Sequence, residues 1–126
     1  MNSRALRFLS FGLGVLLMFH GIDKIMHGTA FIEKMLLAQK IPYSEYVQYG
    51  VYVGEVVAPL FLIVGKYMRI AGAVVAVNMI IAIFLVHQKT LFTLGEQGAW
   101  SIETPMLYLI MALSVLLWQK DKKATT

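Results

Sequence analysis

Four long, almost unbroken runs of apolar side chains occupy most of this chain, at about residues 8–26, 46–65, 70–86 and 103–118. Runs of that length leave no polar face for water, so lipid is the expected solvent. A bilayer core offers no water to backbone N–H and C=O groups, so each run is read as a helix that satisfies them internally. The expected fold is all-α: one transmembrane domain over residues 1–126, built as a four-transmembrane-helix bundle. Composition agrees, with 59% apolar and 14% charged residues, against roughly 45–50% and about 25% in soluble domains.

The first run follows Arg4 and Arg7 and turns polar at His20, Asp23, Lys24 and His27. Gly28-Thr29-Ala30 has the composition of a signal-peptidase site. The run is long for a signal segment and three more follow, so it is read as a retained span. Ser44, just after Pro42, is the expected N-cap of the second span. Ser101 or Thr104 is expected to cap the fourth, with Pro105 in its first turn, where a missing N–H does no harm. The third and fourth runs are short for a ~30 Å hydrocarbon core.

Basic residues set the orientation. With the N-terminus inside, Arg4, Arg7, Lys66, Arg69, Lys120, Lys122 and Lys123 lie on the inner side, and Lys24, Lys34, Lys40 and Lys89 on the outer. Seven against four favours both termini in the cytoplasm. Tyr43, Tyr46, Tyr49 and Trp100 then mark the outer interface and Trp118 the inner one. The net charge of +4 is thereby explained as an orientation signal, and no nucleic-acid partner is expected. Between Thr29 and Lys40, Phe31, Ile32, Met35 and Leu36 recur at helical spacing among Glu33, Lys34 and Lys40. This predicts a short extracytoplasmic helix lying on the outer membrane surface.

Ionisable residues within spans are the functional signal. His20, Asp23, Lys24 and His27 form one stripe on the first helix. Glu55 lies in the second span, His87 ends the third and Glu103 opens the fourth, all toward the outer side. Each charge inside a bilayer costs about 2.5–3.5 kcal/mol on insertion scales, so these groups should face inward and pair. A structural ion-pair network, such as Glu55 with Lys24 or His20, is one reading. A pocket opening outward is the other, and the rarity of such residues favours it. Pro59 cannot donate to the Glu55 carbonyl, so Glu55 would join a carboxylate to a freed backbone acceptor. Asn78 sits near midplane, nine residues from His87 and about 180° away on a helix. His87 is therefore preferred as the pocket residue, with Asn78, Asp23 and His27 secondary. Gly50 with Gly54, and Gly72 with Ala76, read as packing pairs.

The absence of cysteine excludes disulfides, thiol relays and Fe–S clusters as this chain's own chemistry. His20, Glu55, His87 and Glu103 offer imidazole and carboxylate ligands. No tight ligand motif is present and Lys24 would compete for the carboxylates, so no metal is expected.

His20-Gly21 with Lys24, Glu55 followed by Gly65 and Arg69, His87, and Glu103-Thr104-Pro105 occur in an order that resembles the DoxX family over about residues 5–118. The resemblance implies a four-helix bundle in the plasma membrane and a link to redox metabolism. Some relatives are subunits of thiosulfate:quinone oxidoreductase or sit beside enzymes handling quinones, catechols or reactive oxygen. The tail from Trp118 to Lys123 departs from the family's Gly-Pro-rich ending, so the resemblance gives no expectation of a partner docking there.

On that basis the expected function is a redox-linked subunit that binds a quinone-like molecule in a polar pocket in the outer half of the bundle. Glu55 and His20 would handle protons or hydrogen-bond the head group, Lys24 would hold negative charge, and His87 and Glu103 would complete the mouth. Electrons would come from a redox partner protein or a diffusible reductant. A non-enzymatic binder or transporter of a small solute or ion, enlarged by forming a homo-oligomer, is the alternative. An assembly partner for another membrane protein is the third reading. The charge asymmetry makes a direct prediction: with single cysteines at Lys40 and Lys123, an impermeant reagent added outside intact cells should label the first only. Labelling at Lys123 would reverse the orientation.

Overall fold

The structure is a computed structural model that describes residues 3–86, 92–95 and 98–118. Three helices are long and apolar enough to cross a membrane: Arg4–His27, Ser44–Val64 and Met68–Leu85. A shorter apolar helix, Glu103–Leu117, follows. In chain order the helices are α1 (Ser3–His27), α2 (Ala30–Ala38), α3 (Ser44–Val47), α4 (Gly50–Tyr52), α5 (Ala58–Val64), α6 (Met68–Val86) and α7 (Glu103–Leu117). A π-helical turn, Val53–Val57, joins α4 to α5 and makes one continuous helical segment of Ser44–Val64.

The packing closes a ring: α1 lies on α5, α5 on α6, α6 on α7 and α7 on α1. Its centre holds Leu6, Leu13 and Leu17 of α1, Leu62 of α5, Val75 and Met79 of α6, and Ala112 and Val115 of α7. Large apolar residues face outward instead, among them Phe8, Phe19 and Met26 on α1, Ile70 and Phe84 on α6, and Ile110 and Leu117 on α7. Helices that are apolar on the outward face as well as on the inward one are the pattern of spans surrounded by lipid.

The close approaches lie at glycines. A Cβ on Gly21 would fall 2.0 Å from the Glu55 carbonyl oxygen, and one on Gly14 would fall 2.7 Å from that of Pro59. These positions, seven residues apart on one face of α1, let its backbone rest on the π turn and the start of α5. Gly54 meets Asn78 of α6 and Gly72 meets the backbone of α7 in the same way, whereas Gly50 meets nothing within 4 Å. Of the expected packing pairs, Gly50 with Gly54 and Gly72 with Ala76, the glycines Gly54 and Gly72 make such approaches and Gly50 does not; Gly21 makes the tightest.

At the end of the helices bearing the chain's first residues, two arginines close helix C-termini. Arg7 Nη1 donates to Leu62 O at 3.1 Å and Nη2 to Ile63 O, while Ser10 Oγ donates to Leu62 O at 2.8 Å. Gly65, at φ 86, donates its N–H to Phe61 O at 2.8 Å. Three carbonyls in the last turn of α5 are thus satisfied, and a positive charge sits at the negative end of its dipole. Arg69 Nε does the same for α7, donating to Leu116 O at 3.1 Å.

Two expected caps are corrected. Ser44 is the first residue of α3 rather than its N-cap; Tyr43, left-handed at φ 59 directly after Pro42, takes that place. Ile102, fully buried, precedes α7 in place of Ser101 or Thr104, and makes no side-chain cap. Thermal unfolding in detergent tests the glycine contacts. Gly21→Ala should destabilise by about 1–3 kcal/mol, as overpacking does. Gly12→Ala, with nothing within 4 Å, should be neutral or stabilising by up to ~1 kcal/mol.

Candidate functional site

Pro59 is the local cause of the site's shape. It has no N–H for the carbonyl four residues back, and the chain answers with the π turn, in which Ala58 N–H reaches Val53 O five residues away. The extra residue in that turn brings Gly54 and Glu55 to the buried side of the segment. Glu55 is 7% exposed.

Lys24, in the last turn of α1, projects toward it. Its Nζ lies 3.8 Å from Glu55 Oε1, with 11% and 9% of the two side chains exposed. That is an ion-pair separation, wider than a direct hydrogen bond. Lys24 Nζ also stands 5.8 Å from the centre of the Phe31 ring on α2, within cation–π range. Tyr52 Oη donates to the Lys24 carbonyl at 3.1 Å, so the end of α1 is fastened to the segment that carries Glu55.

A cavity of about 520 Å³ adjoins the pair, within the ~300–1,000 Å³ typical of small-molecule sites. Phe31, Ile32, Met35 and Leu36 of α2 form one wall. Val51, Val53 and Gly54 form the second, and Val74, Asn78 and Ala82 on α6 the third. Four polar side chains line it: Lys24, Gln48, Glu55 and Asn78. The expected polar pocket is thus an apolar cavity with a charged pair on one side. Val53, Val77 and Ile81, each about half exposed, form a rim on the outward flank of the helices.

The structure gathers some of the sequence-derived residues here and separates others. Lys24, Glu55 and Asn78 come together. His20 does not line the cavity; its ring meets Tyr108 of α7 edge-on, centroids 5.7 Å apart at 84°. Asp23 and His27 pair with each other at 2.9 Å on an exposed surface. Glu103 is exposed in the first turn of α7, where a carboxylate favours the helix dipole. His87 lies outside the described residues. Among the described residues of α6, Asn78, ranked below His87 on angular grounds, is the polar side chain that lines the cavity.

The sequence reading also missed what holds α2 in place. Thr29 Oγ1 donates to Gln48 Oε1 at 2.7 Å, and Gln48 Nε2 donates to Glu33 and to Glu45 O. Thr29 and Gln48 are both buried. The signal was present: Gln48 is an uncharged polar residue inside an apolar run, and such amides seek partners. With this anchor, the apolar side of α2 faces the cavity.

The Lys24–Glu55 pair predicts asymmetric mutational effects. Lys24→Met strands the deeper carboxylate and should destabilise by roughly 3–5 kcal/mol. Glu55→Gln should cost less, since Lys24 lies at a helix end from which its ammonium can reach the interface. A double-mutant cycle followed by thermal unfolding checks this; additive losses would mean that the pair is not coupled.

Residues 5–88, two thirds of the chain, match a family model described as DoxX. The match includes His20-Gly21, Lys24, Glu55, Gly65, Arg69 and His87 and ends before Glu103-Thr104-Pro105. No curated protein and no solved structure matches. The chain belongs to the DoxX family and is a multi-pass membrane protein.

Proposed function

We propose that this DoxX-family chain is a redox-linked membrane subunit that holds a quinone-like or other small amphipathic molecule in the cavity beside Lys24 and Glu55. The observation that carries this reading is the cavity's division into an apolar wall and a buried charged pair. An apolar ring or tail suits the wall, and a polar head suits the pair. Entry is lateral, from the hydrocarbon, across the rim at Val53, Val77 and Ile81.

Within the site Lys24 and the Asn78 amide donate to oxygen atoms of the head group, and Glu55 accepts a hydrogen bond or a proton. Quinone chemistry, where it occurs, supplies the electron exchange; this chain supplies binding, orientation and exclusion of water. Electrons enter through a partner protein or a diffusible reductant.

In this reading α7 is the fourth span of a bundle in the plasma membrane. Its 15 residues reach about 22 Å at 1.5 Å per residue, so its ends extend into the interface or the bilayer thins around it. Both termini are cytoplasmic, which puts the cavity in the outer half and lays α2 at the outer interface, its apolar side turned onto the cavity. The ion pair between Lys24 and Glu55 favours a second reading, an assembly partner whose charges only fix the packing.

Ala82→Phe separates the two. Ala82 shares a face of α6 with Asn78 and lines the cavity, so a ring there fills space without touching the ion pair. Purified in detergent, the variant should keep its melting temperature. It should bind a short-chain quinone analogue at least about tenfold more weakly, ~1.4 kcal/mol. Absence of binding to the unmodified protein would leave the structural reading standing.

A further inference from the structure

The two ion pairs among the described residues, Lys24 with Glu55 and Asp23 with His27, both lie where α1 ends. Where α1 begins, the charges are almost all of one sign. Arg4 and Arg7 stand in its first two turns, and Lys66 and Arg69 flank the start of α6. The segments adjoining this end, residues 1–7, 65–69 and 118–126, carry seven basic residues and one acidic residue, Asp121. Two helices also begin here, and their unsatisfied N–H groups add the positive ends of two dipoles. An acidic residue in the first turn would offset that, and neither α1 nor α6 has one. Among the described residues, positive charge is thus gathered at this end without a carboxylate to meet it.

A groove of about 780 Å³ opens at the same end. Arg4, Arg7, Phe8 and Phe11 line it from α1, at the i, i+3, i+4 and i+7 spacing of one helix face. Met68, the first residue of α6, and Trp118, just past α7, complete it. The lining is graded along α1, with two guanidinium groups first and two exposed aromatic rings after them. Phe11 lies ~10 Å further along the helix than Arg4, at 1.5 Å per residue. Arg7 is committed in part through its bonds to α5, whereas Arg4 is exposed.

This gradient defines the occupant. A free phosphate meets the guanidinium groups and leaves the rings bare. A zwitterionic lipid covers the rings but brings an ammonium to an end already crowded with cations. We propose that the groove binds an anionic phospholipid, its phosphate held by Arg4 and Arg7 and an acyl chain laid over Phe8 and Phe11. Guanidinium and phosphate form charge-assisted, bidentate pairs, and basic pockets between membrane helices suit anionic headgroups. The lipid supplies the counter-charge that this end lacks and joins α1 to the ends of α6 and α7. The groove lies at the opposite end of α1 from the Lys24–Glu55 cavity, and the inference does not rest on the function proposed for that cavity.

Native mass spectrometry of the full chain in a neutral detergent tests this, with phosphatidylglycerol and phosphatidylcholine of identical acyl chains as probes. Phosphatidylglycerol should bind about tenfold or more tightly, as expected where basic side chains face the headgroup. Arg4→Gln should weaken it about fivefold, the effect of one arginine beside an anionic headgroup. The melting temperature of that variant in lipid-free detergent should be unchanged, because Arg4 is exposed. Lys66→Gln removes an equal charge from the same end, outside the groove, and should change the affinity by about twofold or less. Equal affinity for the two lipids overturns the proposal. Equal weakening by the two substitutions also overturns it, since that would mean diffuse attraction to the whole charged end. Displacement of bound phosphatidylglycerol by millimolar inorganic phosphate would assign the groove to a free anion and overturn it as well. If Arg4→Gln does not fold, the lipid preference of the unmodified protein and the phosphate competition decide the matter.

Discussion

Hydrocarbon gives no water to a backbone carbonyl that has lost its donor, and Pro59 creates that condition in the middle of an apolar helix. The chain's answer is a π-helical turn immediately before α5, and the rest of the arrangement follows from it. The turn presents Gly54 to Asn78 and the Glu55 carbonyl to Gly21. It also turns the Glu55 side chain inward, toward the end of α1. A regular helix would give α1 and α6 different surfaces to pack on. One proline thus decides where two neighbouring helices can lie.

Lys24 then joins three elements through three different interactions. Its ammonium pairs with Glu55 and stands over Phe31, and its carbonyl accepts the Tyr52 hydroxyl. The short helix α2 is held from the other side by Thr29, Gln48 and Glu33. These contacts fix α2 at its N-terminal end, where it forms a wall of the cavity.

The apolar runs made the helices legible in the sequence, and charge inside those runs pointed to Glu55 and Lys24. Those signals are local and survive without a structure. Three things were not legible. The stripe of His20, Asp23, Lys24 and His27 looked like one surface, yet His20 meets Tyr108 of α7, Lys24 meets Glu55 of the π turn, and Asp23 and His27 stay exposed. Gly14 and Gly21 stand among leucines seven residues apart and fit no short small-residue motif, so their contact with Pro59 and Glu55 emerges only in three dimensions. Arg7 and Arg69 read as charge alone, because the carbonyls they meet lie 55 and 47 residues away.

Those two arginines carry a consequence for biogenesis. Insertion machinery reads positive charge near a span and is indifferent to the shape of the group bearing it. The folded protein reads shape: Arg7 forks across two carbonyls of α5, and Arg69 reaches one on α7 through Nε, an atom that lysine lacks. The same two residues therefore act at successive stages under different rules, first as votes on which way the chain enters the bilayer and later as clasps that join inserted helices. A lysine at either position would cast the same vote and leave the clasp open, yielding a protein correctly threaded through the membrane but loosely assembled within it.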